Sequence, residues 1–253
     1  MENLTEKNSI LEVENLNLAY DDYQVLENVS FSVKRGKCTV LMGGSGCGKS
    51  TLLKSMVGLL APVSGKILVD SLDLWSVDQE QKTSILKKYG VLFQGGALWG
   101  AMNLVENVSL PLETYTDLGE NEINDLARYK LNLVGLSGYG DFYPAQLSGG
   151  MKKRVGIARA IAMNIKYLFC DEPNSGLDPI TSRVIDDLLL DITAEYGITT
   201  MIISHDMKTA FDIGDKILFL YEGKIRWQGS KNEIHSAGKE IKELGAFIAS
   251  SQI

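Results

Sequence analysis

The chain has 253 residues, 45% of them hydrophobic, enough to bury a full core as one large domain or as a domain carrying an insertion. Its net charge of -7 counts against a nucleic-acid grip, which needs a basic surface, and Cys38, Cys47 and Cys170 lack the C-x-x-C spacing of a metal site, so a reducing cytosol is expected. No apolar run is long enough to span a bilayer, and the polar stretch from Met1 to Ser9, expected to be frayed, has no pattern of an export signal.

Residues 10–42 alternate as strands do, in runs at 10–13, 29–33 and 38–42, with a turn at Lys34, Arg35, Gly36 and Lys37. The third run leads into Gly43, Gly44, Ser45, Gly46, Cys47, Gly48, Lys49, Ser50 and Thr51, and a helix-like stretch follows from Leu52. Strand, glycine-rich loop and helix, with G-x-x-x-x-G-K-S filling the loop, make a phosphate cradle. Successive backbone N–H groups can turn inward there, and the helix adds its positive end. Lys49 supplies a charge for the β- and γ-phosphates of a nucleotide, and the Ser50 hydroxyl is a hard oxygen ligand for Mg²⁺.

Residues 66–70 read as a further strand, and residues 90–93 form an apolar run that ends at Gln94. From Asn103 to about Asn164 the character is helical and polar, with Pro111 and Pro144 marking breaks. Apolar runs and helical segments then alternate: a strand at 167–170, a helix at 180–196, and a strand at 199–204. Strands at 216–221 and 224–228 turn at Glu222 and Gly223. Ile241, Leu244, Phe247 and Ile248 give a tail helix one apolar face, which either packs on the chain's own core or docks a partner.

Strands alternating with helices imply an α/β fold with a parallel sheet, whose ligands bind at the carboxyl ends of the strands. Four apolar runs here end on groups suited to phosphate chemistry: the Gly43 loop, Gln94, the pair Asp171 and Glu172, and His205. Asp171 would share Mg²⁺ with Ser50, Glu172 would orient or deprotonate the attacking water, and His205 would contact the γ-phosphate. Gln94 can reach the metal or the water, because an amide both donates and accepts. Ser148 is a natural N-cap for the helix that follows, and with Gly149 and Gly150 it makes a second anion site. One nucleotide needs only one cradle, so the second implies a head-to-tail homodimer holding two ATP molecules at a shared interface.

Taken together, these motifs resemble the ATP-binding cassette (ABC) family over essentially the whole chain. The loop from Gly43 to Thr51 matches Walker A, residues 167–172 Walker B with its glutamate, and Gln94 the Q-loop. Residues 147–151 match the signature, residues 175–178 ending in Asp178 the D-loop, and His205 the switch histidine. Tyr20 is similar to the aromatic that stacks on adenine. Departures are mild: Gly44 stands where Pro is frequent, Met151 replaces Gln, and Gly176 replaces Ala.

The resemblance implies a P-loop NTPase of ABC type, with a RecA-like core and mostly parallel sheet, an antiparallel β subdomain and an inserted α-helical subdomain. The expected boundaries are a single cassette at 10–240, with core and β subdomain at 10–94 and 163–240, the helical insert at 95–162, and a tail helix at 241–253. ATP and Mg²⁺ are the implied cofactors. The segment with Leu98, Trp99 and Met102, together with residues 103–112 and 171–181, is similar to Mla/Mce-type lipid-transport ATPases. That likeness implies phospholipid transport between envelope membranes through a separate permease, which would dock on an apolar patch exposed at Leu98, Trp99 and Met102. It also implies a lipid-binding substrate protein, an accessory subunit, and a peripheral place on the cytoplasmic side of a bacterial inner membrane. Another cargo, such as an amino acid or a toxin, and a soluble non-transport ABC ATPase are the alternative readings.

Overall fold

The computed structural model describes residues 9–250. Residues 1–8, most of the stretch expected to be frayed, and residues 251–253 of the tail lie outside the described residues. The chain enters a hairpin of β1 (Ser9–Tyr20) and β2 (Tyr23–Lys34), so Ser9 already belongs to a strand. Both strands run longer than the sequence predicts. Asn15 and Asn28 sit in left-handed backbone (φ 47° and 49°) where the pairing slips its register. Asn28 N donates to Asn17 Oδ1 at 3.0 Å, so the amide side chains carry the chain across the irregularity. With β4 (Ser64–Val69) and β5 (Leu72–Asp73), the hairpin forms an antiparallel sheet of order β2-β1-β4-β5.

A second sheet contains β3 (Cys38–Met42), β6 (Tyr89–Leu92), β7 (Tyr167–Asp171), β8 (Thr199–Ser204), β9 (Lys216–Tyr221) and β10 (Lys224–Gly229). Its order is β10-β9-β3-β8-β7-β6, parallel except for the β9–β10 pair. Every residue of β3, β7 and β8 is buried, as expected of central strands covered on both faces. Side chains alternate between two cores. Val40, Met42, Cys170 and Ile202 face the helices, whereas Leu41, Phe169, Met201 and Ile203 face the antiparallel sheet. Helix α1 (Lys49–Met56) buries Leu52, Leu53 and Met56 in the second of these cores.

After α2 (Gln79–Leu86), the polar stretch resolves into α3 (Leu104–Tyr115), α4 (Glu120–Leu133) and α5 (Gly149–Ala160). The break expected at Pro111 does not occur; α3 runs through it. A helix-interior proline costs roughly 3 kcal/mol, and burying one large apolar side chain returns roughly 1.5–3. Leu104, Val105, Val108 and Leu112 are all buried on α3, so packing outweighs the lost hydrogen bond. Pro144 does mark a break, opening a single 3-10 turn at Pro144–Gln146. Helices α6 (Pro179–Tyr196), α7 (Met207–Ile213), α8 (Ile234–Glu240) and α9 (Lys242–Ser250) complete the described chain. The apolar face of the tail packs on the chain's own core, with Leu244 buried and the Phe247 ring 5.4 Å from Phe219.

Because β3, β8, β7 and β6 are parallel neighbours, their carboxyl ends deliver the Gly43 loop, His205, the Asp171 and Glu172 pair, and Gln94 to one edge of the sheet.

Candidate active site

The loop after β3 folds as its glycines require. Gly43 has no room for a side chain, since a Cβ there would lie 2.2 Å from the Leu220 carbonyl oxygen. Gly48 caps α1 in left-handed backbone (φ 109°) with no side-chain hydrogen bond, so the first amides of α1 keep their capacity for an anion. Gly44, Ser45 and Gly46 are exposed, Cys47 and Thr51 are half-buried, and burial pushes the Cys47 thiol up. Lys49 is buried, and its Nζ donates to the carbonyls of Gly43 at 2.8 Å and Gly44 at 3.0 Å. The ammonium is therefore tethered over the loop it would share with a phosphate.

Opposite, Ser50 Oγ donates to Asp171 Oδ1 at 3.3 Å. Burial pushes the Asp171 carboxyl up from its ordinary value, opposed by the Ser50 hydrogen bond and the ammonium groups of Lys49 and Lys153. A hydroxyl and a buried carboxylate at this spacing are hard oxygen donors of the kind Mg²⁺ takes. Among the described residues no three His, Cys, Asp or Glu side chains gather for a metal. Glu172 stands in left-handed backbone (φ 50°), an unusual place for a non-glycine residue. Its Oε2 lies 2.6 Å from His205 Nδ1, which leaves His205 Nε2 as the ring nitrogen available to a ligand.

Other expected site residues stand apart from this centre. The Gln94 amide donates to Ser175 Oγ at 3.1 Å rather than turning to Ser50 or Asp171. Ser148 caps α5, accepting from Met151 N, while Gly149 and Gly150 lie against Leu177 and Thr181. Asp178 is occupied as the cap of α6, where it accepts from Ile180 N, Thr181 N and Thr181 Oγ1. Two clefts flank the loop. The larger, about 670 Å³, is lined by Ser45, Glu172, His205 and Asp186 among others. The smaller, about 430 Å³, runs from Gly44 to Tyr23, Val25 and Glu222. Neither lining includes Ser148, Gly149 or Gly150, so one chain does not bring its own second anion site to its phosphate loop. Tyr20 is also absent from the smaller cleft, whose aromatic residues are Tyr23 and Tyr221, and its ring instead carries Lys54 Nζ at 5.9 Å.

Four residues around the site carry no signal in the sequence. Lys153 on α5 and the buried amide of Asn107 on α3 reach backbone carbonyls around Gln94 and Trp99, respectively. Asp186 and Thr209 join Asn174 behind Glu172: Asn174 Nδ2 donates to Asp186 Oδ1 at 2.8 Å and to Thr209 Oγ1 at 3.0 Å. Burial pushes the Asp186 carboxyl up to about 6 despite the hydrogen bonds from Asn174 and Thr209. An unfolded aspartate titrates at about 4, so this residue's contribution to stability is full below that pH and is lost as pH rises towards 6. Asp186→Asn is accordingly expected to gain in melting temperature over the parent as pH rises from about 4 to about 6, with a level difference above. Thermal melts showing the same difference at every pH would contradict that assignment.

A sequence profile of the ABC transporter family matches residues 26–175, more than half of the chain. The chain belongs to the ABC transporter family. This cassette is 40% identical to "Probable ribonucleotide transport ATP-binding protein mkl" of Mycobacterium leprae over 231 residues, 91% of this chain and 67% of that protein. It spans about two thirds of the length of its mkl relatives. It is 36% identical to "Intermembrane phospholipid transport system ATP-binding protein MlaF" of Haemophilus influenzae, covering 89% of this chain and 86% of that protein. Among solved structures, the dimeric post-hydrolysis state of the ATP-binding cassette MJ0796 bound to ADP and Pi matches with a TM-score of 0.80 at 30% identity, over 87% of this chain and 98% of that one. The ABC cassette fold implied by the motifs is thus the fold observed, with its parallel core, antiparallel sheet and inserted helices.

Proposed function

We propose that this cassette hydrolyses ATP with Mg²⁺ as a head-to-tail homodimer and powers phospholipid transport through a separate permease. The observation that carries the hydrolytic part is the meeting of Ser50 with Asp171 and of Glu172 with His205 at the ends of adjacent parallel strands. Lys49, held over the loop by the Gly43 and Gly44 carbonyls, would meet the β- and γ-phosphates. Glu172 would take a proton from the attacking water, and His205 would hold the γ-phosphate through Nε2. Ser50 and Asp171, with Gln94 once it leaves Ser175, would hold Mg²⁺, which when bound neutralises charge developing on the phosphates. The Ser148, Gly149 and Gly150 end of α5, away from its own loop, would close over the partner's nucleotide with Asp178 beside it.

Residues 10–240 would form the cassette, with 95–162 as the helical insert and 241–253 as the tail. No helix among the described residues is long and apolar enough to cross a membrane, so passage would belong to the permease, with the cassette on its cytoplasmic side. The expected docking patch is narrower than the sequence implies. Trp99 is 62% exposed, but Leu98 packs on the core and Met102 is half-buried. Asn107 fixes the Trp99 backbone by accepting from its N–H at 2.8 Å and donating to its carbonyl at 3.1 Å. Trp99→Asp should abolish co-purification with the permease from membranes and keep the isolated cassette's ATPase rate within about twofold, the usual scale of a surface change. Intact co-purification would refute the docking patch.

MlaF of Haemophilus influenzae is named for intermembrane phospholipid transport, which supports the cargo together with the likeness around Trp99. The mkl name supports ribonucleotides as a second reading. Mass spectrometry of the native complex decides between them: co-purifying phospholipid favours the first, and nucleotide cargo with no lipid would overturn it.

A further inference from the structure

Lys153 lies on α5, five residues past its Ser148 cap, and is only 6% exposed. Its Nζ donates to two backbone carbonyls, that of Gln94 and that of Glu172 (3.1 Å). Among the described ion pairs none involves Lys153, so a buried cation is held by main-chain oxygens alone. Burial lowers its pKa, opposed by Cys170, Glu172 and Asp171. A buried ammonium without a carboxylate partner is a poor device for stability. Its placement suits another task.

Glu172 stands in left-handed backbone, and its two peptide groups are fixed from opposite sides. Glu172 N donates to the Ile203 carbonyl at 2.9 Å, and the Glu172 carbonyl accepts from Lys153. The other Lys153 contact is the carbonyl of Gln94, at the start of the loop that carries Trp99. Six residues further along α5, Arg159 donates to the carbonyls of Gly96 at 2.7 Å and Ala97 at 2.8 Å. One helix thus grips the Gln94 loop at several points and the Glu172 peptide at one.

We propose that Lys153 is a positioning residue that ties the Gln94 turn to the Glu172 peptide and so sets the aim of the Glu172 carboxylate. The inference rests on the reading of Glu172 as the group that takes the water's proton. Lys153→Met keeps the length and apolar stem of the side chain and removes its donors. In the purified full chain it should lower kcat by about 10–100-fold, the cost of misplacing a reacting group by an ångström. KM and the calorimetric Kd for ATP should stay within about threefold. The melting temperature should hold within a few degrees, since loss of a buried unpaired charge offsets the loss of two hydrogen bonds. In a Glu172→Gln background, single-turnover rates should be the same with and without Lys153→Met, because a residue acting through Glu172 has nothing left to aim.

An unchanged kcat would overturn the proposal. So would a parallel fall of kcat, ATP affinity and melting temperature, or failure to fold shared by Lys153→Met and Lys153→Arg, since either marks a structural role. Near-parental turnover by Glu172→Gln alone would instead overturn the reading on which the proposal rests, and the two failures are therefore distinct.

Discussion

Glu172→Gln is expected to bind ATP within about threefold of the parent affinity and to turn it over about 10²–10⁴-fold more slowly, the usual contribution of a positioned proton acceptor. The amide preserves the shape of a side chain that is only 12% exposed and can still meet His205 Nδ1. What it cannot do is accept a proton from water. Phosphate contacts through the Gly43 loop, Lys49 and Ser50 are untouched, so binding and chemistry separate in this variant. With hydrolysis stalled, ATP should hold the two cassettes together, and the larger species should be visible by size-exclusion chromatography in ATP but not in ADP. Turnover within twofold of the parent would remove Glu172 from the reaction.

Lys49→Ala should act at the earlier step. The parent ammonium is buried and oriented by the Gly43 and Gly44 carbonyls, so little ordering remains when a phosphate arrives. Charge-assisted hydrogen bonds are worth about 1.5–3 kcal/mol each, which corresponds to a loss of about 10–150-fold in ATP affinity for one such contact and more for two. The loss should be smaller for ADP, which lacks the γ-phosphate. The loop amides and the Gly48 end of α1 persist in the variant, so residual binding is expected rather than none. Equal calorimetric affinity of parent and variant for ATP would rule out Lys49 as the phosphate-facing charge.

Much of this site is legible in the sequence because its parts are local. A strand, a glycine loop and a helix are contiguous, and the apolar runs ending at Gln94, Asp171 and Ser204 announce their own boundaries. Parallel neighbours then bring those ends together without further information. Pairings between distant segments are not legible. Nothing in the run Lys152, Lys153, Arg154 says which lysine turns inward, since that depends on how α5 lies against β6 and β7. The Asn174, Asp186 and Thr209 contacts likewise join three elements whose approach is set by packing. Local chemistry also misleads in places. The alternating runs stop at 13 and resume at 29, yet Asn15 and Asn28 make irregular pairings inside one hairpin, and Pro111 looks like a break but lies within a helix whose other face is buried. Asp178 and Ser148 show the limit of motif matching within one chain, because both are spent as helix caps there and neither meets the phosphate loop.

In the proposed dimer each reaction centre would take its phosphate loop from one chain and its Ser148 helix end from the other. ATP turnover per chain, measured across a dilution series alongside sedimentation of the same samples, tests it most directly. Turnover per chain is expected to climb with the dimer fraction, and Ser148→Arg to remove it while ATP binding stays within about twofold, as for a surface change outside the binding loop. Constant turnover per chain in samples that sediment as monomers would contradict it.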